Sequence, residues 1–185
     1  HAQVKYSNEF LSIGAGARLL GMGGAGSAMV DDATAGYWNP SRMLNIPGKA
    51  DVSLMHAEYF AGLAKYDYGG VVYKLDTTSA VGFSVVRFAV DDIPNTLELI
   101  DQDGNIRYDR ITSFSAADLG LLLSYARKTN VPGLQVGANV KLIYCHTGEF
   151  AKAWGFGLDA SASYSLDNWH FAAVARDVTG TFNAW

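Results

Sequence analysis

The clearest signal along this chain is a two-residue alternation. From Leu134 to Tyr144, the residues Leu134, Val136, Ala138, Val140, Leu142 and Tyr144 share one side, and Gln135, Gly137, Asn139 and Lys141 share the other. Gly155 to Ser165 repeats the pattern: Phe156, Leu158, Ala160, Ala162 and Tyr164 oppose Gly155, Gly157, Asp159, Ser161, Ser163 and Ser165. Between Ala117 and Tyr125, Leu119, Leu121 and Leu123 oppose Asp118, Gly120 and Ser124. Alternate residues of a strand point to opposite faces, so each stretch predicts a strand with one apolar and one small, polar face. Weaker versions over Asp51–Tyr59, Lys65–Leu75, Ser79–Phe88 and Asn168–Arg176 bring the predicted count to seven. Short turns are predicted at Phe60–Gly62, Asp76–Thr78, Lys128–Gly133 and Leu166–Asn168, and longer connections at Val90–Thr112 and His146–Ala153. Inside the first long connection, Asp101–Asn105 is a turn signal flanked by Leu97 and Leu99 on one side and Ile106 and Tyr108 on the other, which predicts a hairpin outside the sheet. The tail, Thr179–Trp185, does not read as a strand.

Residues 1–49 break the pattern. Gly14, Gly16, Gly21, Gly23, Gly24 and Gly26 crowd one short window, and a mixed stretch follows from Asp31. Ala33–Leu44 has room for a short helix with Asp31 or Asp32 as its N-cap, broken or restarted at Asn39-Pro40. This predicts two parts: an irregular plug or cap over 1–49 and an all-β unit over 50–185.

The make-up of the polar faces decides which solvent the strands meet. A soluble sandwich also alternates, but it shows Lys, Glu and Thr to water, whereas here Lys141 is the only long charge among Gly, Ser, Asn and Asp. Small polar residues suit the lumen of a narrow barrel, and Tyr125, Tyr144 and Tyr164 at the ends of apolar stripes suit an aromatic girdle. Composition agrees: of 185 residues 49% are apolar, 17% charged and 20 are glycine. No apolar run is long enough for a membrane-spanning helix, and the best, Leu119–Ala126, contains Gly120 and Ser124. The residues therefore point to a transmembrane antiparallel β-barrel. Single-chain outer-membrane barrels have even strand numbers, and an open sheet edge in lipid is untenable, so seven strands predict part of a longer protein or a miscounted eight-stranded barrel. Ala2 is the kind of small residue that precedes a signal-peptidase cut, which fits export with a cleaved signal and fits a cloning remnant equally.

Chemistry-bearing motifs are weak. A net charge of −4 gives no footprint for nucleic acid. Gly21, Gly23 and Gly26 match dinucleotide-loop spacing but lack the preceding strand and the acid about 20 residues on, so close backbone packing is the better reading. Asp101, Asp103 and Asn105 resemble the start of a calcium loop, but glycine falls at the fourth position and Thr112 at the twelfth. Cys145 and His146 are neighbours and would point to opposite faces, and His56 and Glu58 share a face where a polar lumen contact is expected. No catalytic set, metal or cofactor is implied.

One stretch is distinctive: Phe10-Leu11-Ser12-Ile13-Gly14-Ala15-Gly16-Ala17-Arg18-Leu19-Leu20-Gly21-Met22-Gly23-Gly24-Ala25-Gly26, continuing to Asp31-Asp32-Ala33-Thr34-Ala35-Gly36-Tyr37-Trp38-Asn39-Pro40. It resembles the N-terminus of the PorV/PorQ family of outer-membrane proteins, which are FadL-like barrels, and the strand order agrees over most of the chain. The resemblance implies a barrel of about 14 strands, an even count as in other outer-membrane barrels, of which this chain holds the first seven. It implies a lumenal plug in which Gly14, Gly16, Arg18, Gly21, Gly23, Gly24, Asp31, Asp32, Trp38, Asn39 and Pro40 have a structural or gating part. Arg18, Asp31 and Asp32 are expected to pair with wall groups such as Asp118, Lys141 and Asp159. The implied role is non-enzymatic: a Gram-negative outer-membrane subunit of type IX secretion and surface attachment that binds the translocon and secreted cargo. The alternative is a FadL-like transporter of hydrophobic small molecules. The implied partners are outer-membrane lipid, large proteins of a secretion or surface-assembly complex, and, under the alternative, a hydrophobic ligand. Asp101, Asp103, Asn105, Arg107 and Tyr108 form the candidate partner-contact loop.

Overall fold

A computed structural model describes residues 8–100, 105–178 and 182–184. Seven antiparallel strands follow one another in a meander, β1 (Ala50–Tyr59), β2 (Ala64–Lys74), β3 (Ser79–Asn95), β4 (Thr112–Lys128), β5 (Leu134–Thr147), β6 (Ala151–Leu166) and β7 (Trp169–Ala175), each paired with the next in chain order. They form one curled, half-barrel sheet. A short β8 (Phe182–Ala184) also pairs with β6, opposite Trp154–Phe156, while β7 pairs with Ala160–Leu166. β8 therefore resumes the line of β7 further along the same strand, and the tail that did not read as a strand does contribute one. Between them Asp177 takes a positive φ of 52°, and its N–H donates to the Asp159 carboxylate.

Strands β3 to β6 are longer than the alternation predicts, whereas β7 is shorter. A bilayer needs about 9–11 tilted residues per strand, yet β3 and β4 run 17 and β6 runs 16. β3 continues past Phe88 because the register shifts between Val90 and Ile93, with Asp92 at φ 57°. That bulge takes up the extra residues and sets Pro94, which has no N–H, in an irregular stretch where the ladder loses little. The predicted long connection at His146–Ala153 is a three-residue turn, 148–150, because His146 pairs with Lys152 and Thr147 with Ala151. The two ends of the sheet thus differ by one long connection, 96–111. Its hairpin is visible in the Ile100–Ile106 bridge and in the Arg107 N–H donating to the Leu99 carbonyl at 2.7 Å.

The two faces are inverted relative to a water-soluble sheet. One face is covered by residues 8–46 and carries Ser84, Ser124, Asn139, Lys141, Asp159, Ser161 and Ser163, all buried. The other is bare and apolar: Leu54 is 82% exposed, Leu123 54% and Trp154 61%. Register aligns this bare face into rows such as Val52–Val71–Phe83–Leu123–Val140–Leu158. Leu134 to Tyr144 spans ten steps of about 3.4 Å, which a tilt of about 40° shortens to about 26 Å, close to the band of about 25 Å on outer-membrane barrels. Tyr125 and Tyr164 are exposed on this face, while Tyr144 is half-buried against Trp154, ring centroids 4.6 Å apart. Among the described residues no helix is long and apolar enough to cross a membrane; the strands are what carry the apolar surface.

Candidate functional site

The covered face and the segment on it form the built interior of the molecule. The segment holds little regular structure: α1 (Ala17–Gly21), α2 (Ala35–Trp38) and 3-10 turns at Glu9–Ser12 and Pro40–Asn45. Asn39 breaks α2 and restarts the chain, its side chain accepting from the Ser41 N–H, with Pro40 at the first position of the new turn. The predicted helix over Ala33–Leu44 is therefore two short pieces. Asp32 accepts from the Thr34 N–H and hydroxyl as a local turn, and the helix N-cap is Thr34.

A chain so irregular leaves backbone groups without helix or ladder partners, and buried ones must be satisfied elsewhere. The sheet satisfies them. Asn139 Nδ2 donates to the Gly36 carbonyl at 2.9 Å and Ser124 Oγ to the same oxygen at 3.3 Å. Tyr68 Oη donates to the Ala33 carbonyl, while the Ala33 N–H donates to Asp51 at 2.6 Å. Ser161 Oγ accepts from the Ser41 N–H at 3.0 Å, and Lys74 Nζ donates to the Ile46 carbonyl at 2.6 Å. Small polar residues on the wall are thus the partners of a threaded backbone.

Apolar packing completes the fit. Tyr37 and Trp38 meet edge to face at 5.2 Å, and both are tied back to the segment, Tyr37 Oη donating to Leu11 O and Trp38 Nε1 to Ala15 O. Burial raises the Tyr37 phenol above its ordinary range. The Arg176 guanidinium, in the gap between β7 and β8, lies over the rings of Tyr37 and Trp38 at 5.5 and 5.6 Å. Beside it Lys141 pairs with Asp159 at 2.8 Å and Asp177 at 2.6 Å. These charges, with Leu11 and Tyr37, surround a cavity of about 40 Å³.

The residues singled out by sequence separate into groups. Gly14 (φ 106°) and Gly16 (φ 82°) need glycine's conformation, and Gly14 lies against Trp38 while donating to Tyr37 Oη. Gly23 and Gly24 also take positive φ, but a side chain at Gly21 or Gly23 would meet open space. Close packing therefore explains only part of the glycine cluster; turn conformation explains Gly23 and Gly24. A helix, α1, precedes these glycines where a dinucleotide loop needs a strand. Trp38, Asn39 and Pro40 are buried at the centre. Arg18 pairs with Asp31 at 2.6 Å and lies 3.9 Å from Asp32, so these charges close within the segment and do not reach Asp118, Lys141 or Asp159. The Asp31 hydrogen bond raises the Arg18 guanidinium above its ordinary value. Arg18 in α1 and Asp31 beyond it are both half-exposed and only 13 residues apart, so the pair closes a short loop at little entropic cost.

His56 lies on the bare face, with Nδ1 2.6 Å from Asp67 and Nε2 3.5 Å from Glu58. The expected lumen contact is therefore an outward one, continued by Arg87 to Asp67 at 3.0 Å and by Lys65 to Asp91 at 2.9 Å. Asp101 and Asp103 lie outside the described residues. Arg107 forks onto Asp109 at 2.9 and 3.0 Å, and Asn105, Arg107 and Tyr108 are exposed, Tyr108 at 72%.

Sequence reasoning missed Tyr68, Asp51, Arg176 and Asp177, whose roles depend on register and on a strand break. Lys141 carried a visible signal, as the one long charge on a face of small residues. Over residues 2–183 the chain matches the family described as Type IX secretion system protein PorV. No curated protein and no solved structure matches it.

Proposed function

Because the chain belongs to the PorV family of type IX secretion system proteins, we propose that it serves secretion as a protein-binding barrel wall. Family and apolar half-barrel together make it an outer-membrane component of that system. In this reading residues 8–46 are a fixed plug, the interior is closed, and the connection 96–111 grips large partners of the translocon or their cargo. Export behind a cleaved signal peptide is part of the same reading.

The observation that carries it is how tightly residues 8–46 fill the space against the centre of this wall. The cavity between plug and wall beside Lys141 is about 40 Å³, against about 300–1,000 Å³ for pockets that hold drug-sized ligands. A transporter of hydrophobic molecules needs a lumenal apolar pocket, and this part of the lumen is occupied by hydrogen-bonded chain. The connection 96–111 meanwhile exposes Leu97, Ile100, Ile106 and Tyr108, the mix of aromatic and aliphatic anchors that protein interfaces use.

Two measurements test the reading. Detergent extracts should yield large partner proteins with the wild-type chain and much less of them with the double variant Arg107→Ala/Tyr108→Ala, while that variant stays folded. Joining plug to wall through Asn45→Cys/Gln135→Cys and a bifunctional maleimide should leave secretion intact, because the plug does not have to move. Loss of secretion on cross-linking, with the partners still bound, would overturn the closed interior.

A further inference from the structure

Charge is distributed unequally between the two ends of the sheet. At the end bearing the connection 96–111, three cations of the bare face are neutralised in place, His56 and Arg87 by Asp67 and Lys65 by Asp91, while Lys152 and Arg110 stand apart from one another without an ion pair among the described residues. At the short-turn end stand Lys49, Lys74, Arg127 and Lys128, and among the described residues none of the four has an ion pair. Lys49, Lys74 and Lys128 line one recess of about 420 Å³ with Gly48 and Thr77. Lys74 donates one proton to the Ile46 carbonyl and retains two. The one carboxylate there, Asp76, accepts from the N–H and hydroxyl of both Thr78 and Ser79, so its oxygens are turned into the β2–β3 turn. The recess opens at the end of the covered face, where Lys74 and Lys128 stand, and reaches the bare apolar face through Lys49. Lys49 Nζ reaches over the Tyr73 ring at 5.3 Å, and Arg127 follows Tyr125 on that face.

We propose that this rim holds the phosphate of an anionic glycerophospholipid headgroup whose acyl chains lie on the bare face. Three features argue for that occupant. The cations lie just past Tyr73 and Tyr125, where interfacial aromatics sit at headgroup level. The apolar face beneath them offers a surface that a free anion would not use. Basic residues at a membrane surface attract anionic lipid by roughly a factor of five each. Short turns face the periplasm in outer-membrane barrels, so the lipid belongs to the periplasmic leaflet. The inference rests on the membrane location and not on partner binding, so failure of either leaves the other standing.

The test uses the whole protein, delipidated in detergent, with native mass spectrometry as the readout. Phosphatidylglycerol, phosphatidylcholine and inorganic phosphate are added in turn. The expected result is retained phosphatidylglycerol that falls at least about tenfold in Lys49→Gln/Arg127→Gln/Lys128→Gln but persists in Lys49→Arg/Lys128→Arg, with phosphatidylcholine weak and unchanged. Heat-modifiable migration on gels confirms that each variant is folded; if the triple variant is not, Lys128→Gln alone should lose binding several-fold. Equal retention by the neutralised variant overturns the proposal. So does an equal loss in Lys65→Gln at the opposite end, which would mean generic surface charge. Competition by inorganic phosphate as strong as by the lipid would make this a free-anion site and also overturn it.

Discussion

At Gly137 the wall passes directly against the backbone of the threaded segment. A Cβ there would sit 2.3 Å from the Ser41 nitrogen and 2.6 Å from the Pro40 carbonyl carbon, both backbone atoms that cannot swing aside. Gly137→Val should cost about 1–3 kcal/mol, the range for overpacking, read as a lower urea midpoint in detergent. Lys141 is sensitive for an electrostatic reason. It and Asp159 are 4% and 6% exposed, so Lys141→Met leaves a buried carboxylate without its cation and should cost about 3–5 kcal/mol. Lys141→Met/Asp159→Leu should recover much of that loss, because the pair is removed together. Asp76 predicts a pH effect. Hydrogen bonds from the Ser79 and Thr78 side chains hold its carboxyl below the usual carboxylate range. A depressed folded-state value stabilises above the unfolded value and fades as pH falls through the folded one. The Thr78 and Ser79 amides should therefore keep their slow hydrogen exchange at neutral pH and lose it progressively in strong acid. Asp76→Ala should exchange fast at every pH.

Strands divide into a part in the apolar band and a part beyond it, and this governs what a substitution does. Leu123→Arg falls in a row that is apolar from Val52 to Leu158 and should cost about 2–4 kcal/mol, as arginine does near a bilayer midplane. Lys65→Leu, on the same face past the band, should change stability little by the same denaturation measurement. This division also explains what could be read ahead of the structure. Within the band the two faces meet different media, so period-two alternation is strict, and β5 and β6 are legible over Leu134–Tyr144 and Gly155–Ser165. Beyond it both faces meet water and the alternation lapses. Asp91, Asp92 and Pro94 then look like loop although β3 runs through them, and His146 and Thr147 look like the start of a long connection although they pair with β6.

At the scale of the molecule, the N-terminal segment was legible as irregular and glycine-rich, but its partners were not. Local composition shows that Gly36 and Ala33 will not lie in a long helix; only register shows that Asn139, Ser124 and Tyr68 answer them. The Arg18–Asp31 pair differs from the expected cross-wall pairing for the same reason, since nothing local marks the reach of Lys141 to Asp177. β1 and the β7–β8 line are each paired on one side among the described residues, and lipid does not tolerate free edges. In the membrane each edge therefore needs a further strand beside it.

The threading of that segment also has a consequence in time. Ser41 is separated from Ser161 by 120 residues and Gly36 from Asn139 by 103. Contacts that distant form late, because chain closure must precede them. Residues 33–46 are synthesised before every strand yet should be the last to gain protection in a refolding pulse-label experiment, after the β5–β6 amides. Until then they are an unfolded leader trailing from a nearly finished wall, and a factor that holds exported chains in the periplasm would find its grip there.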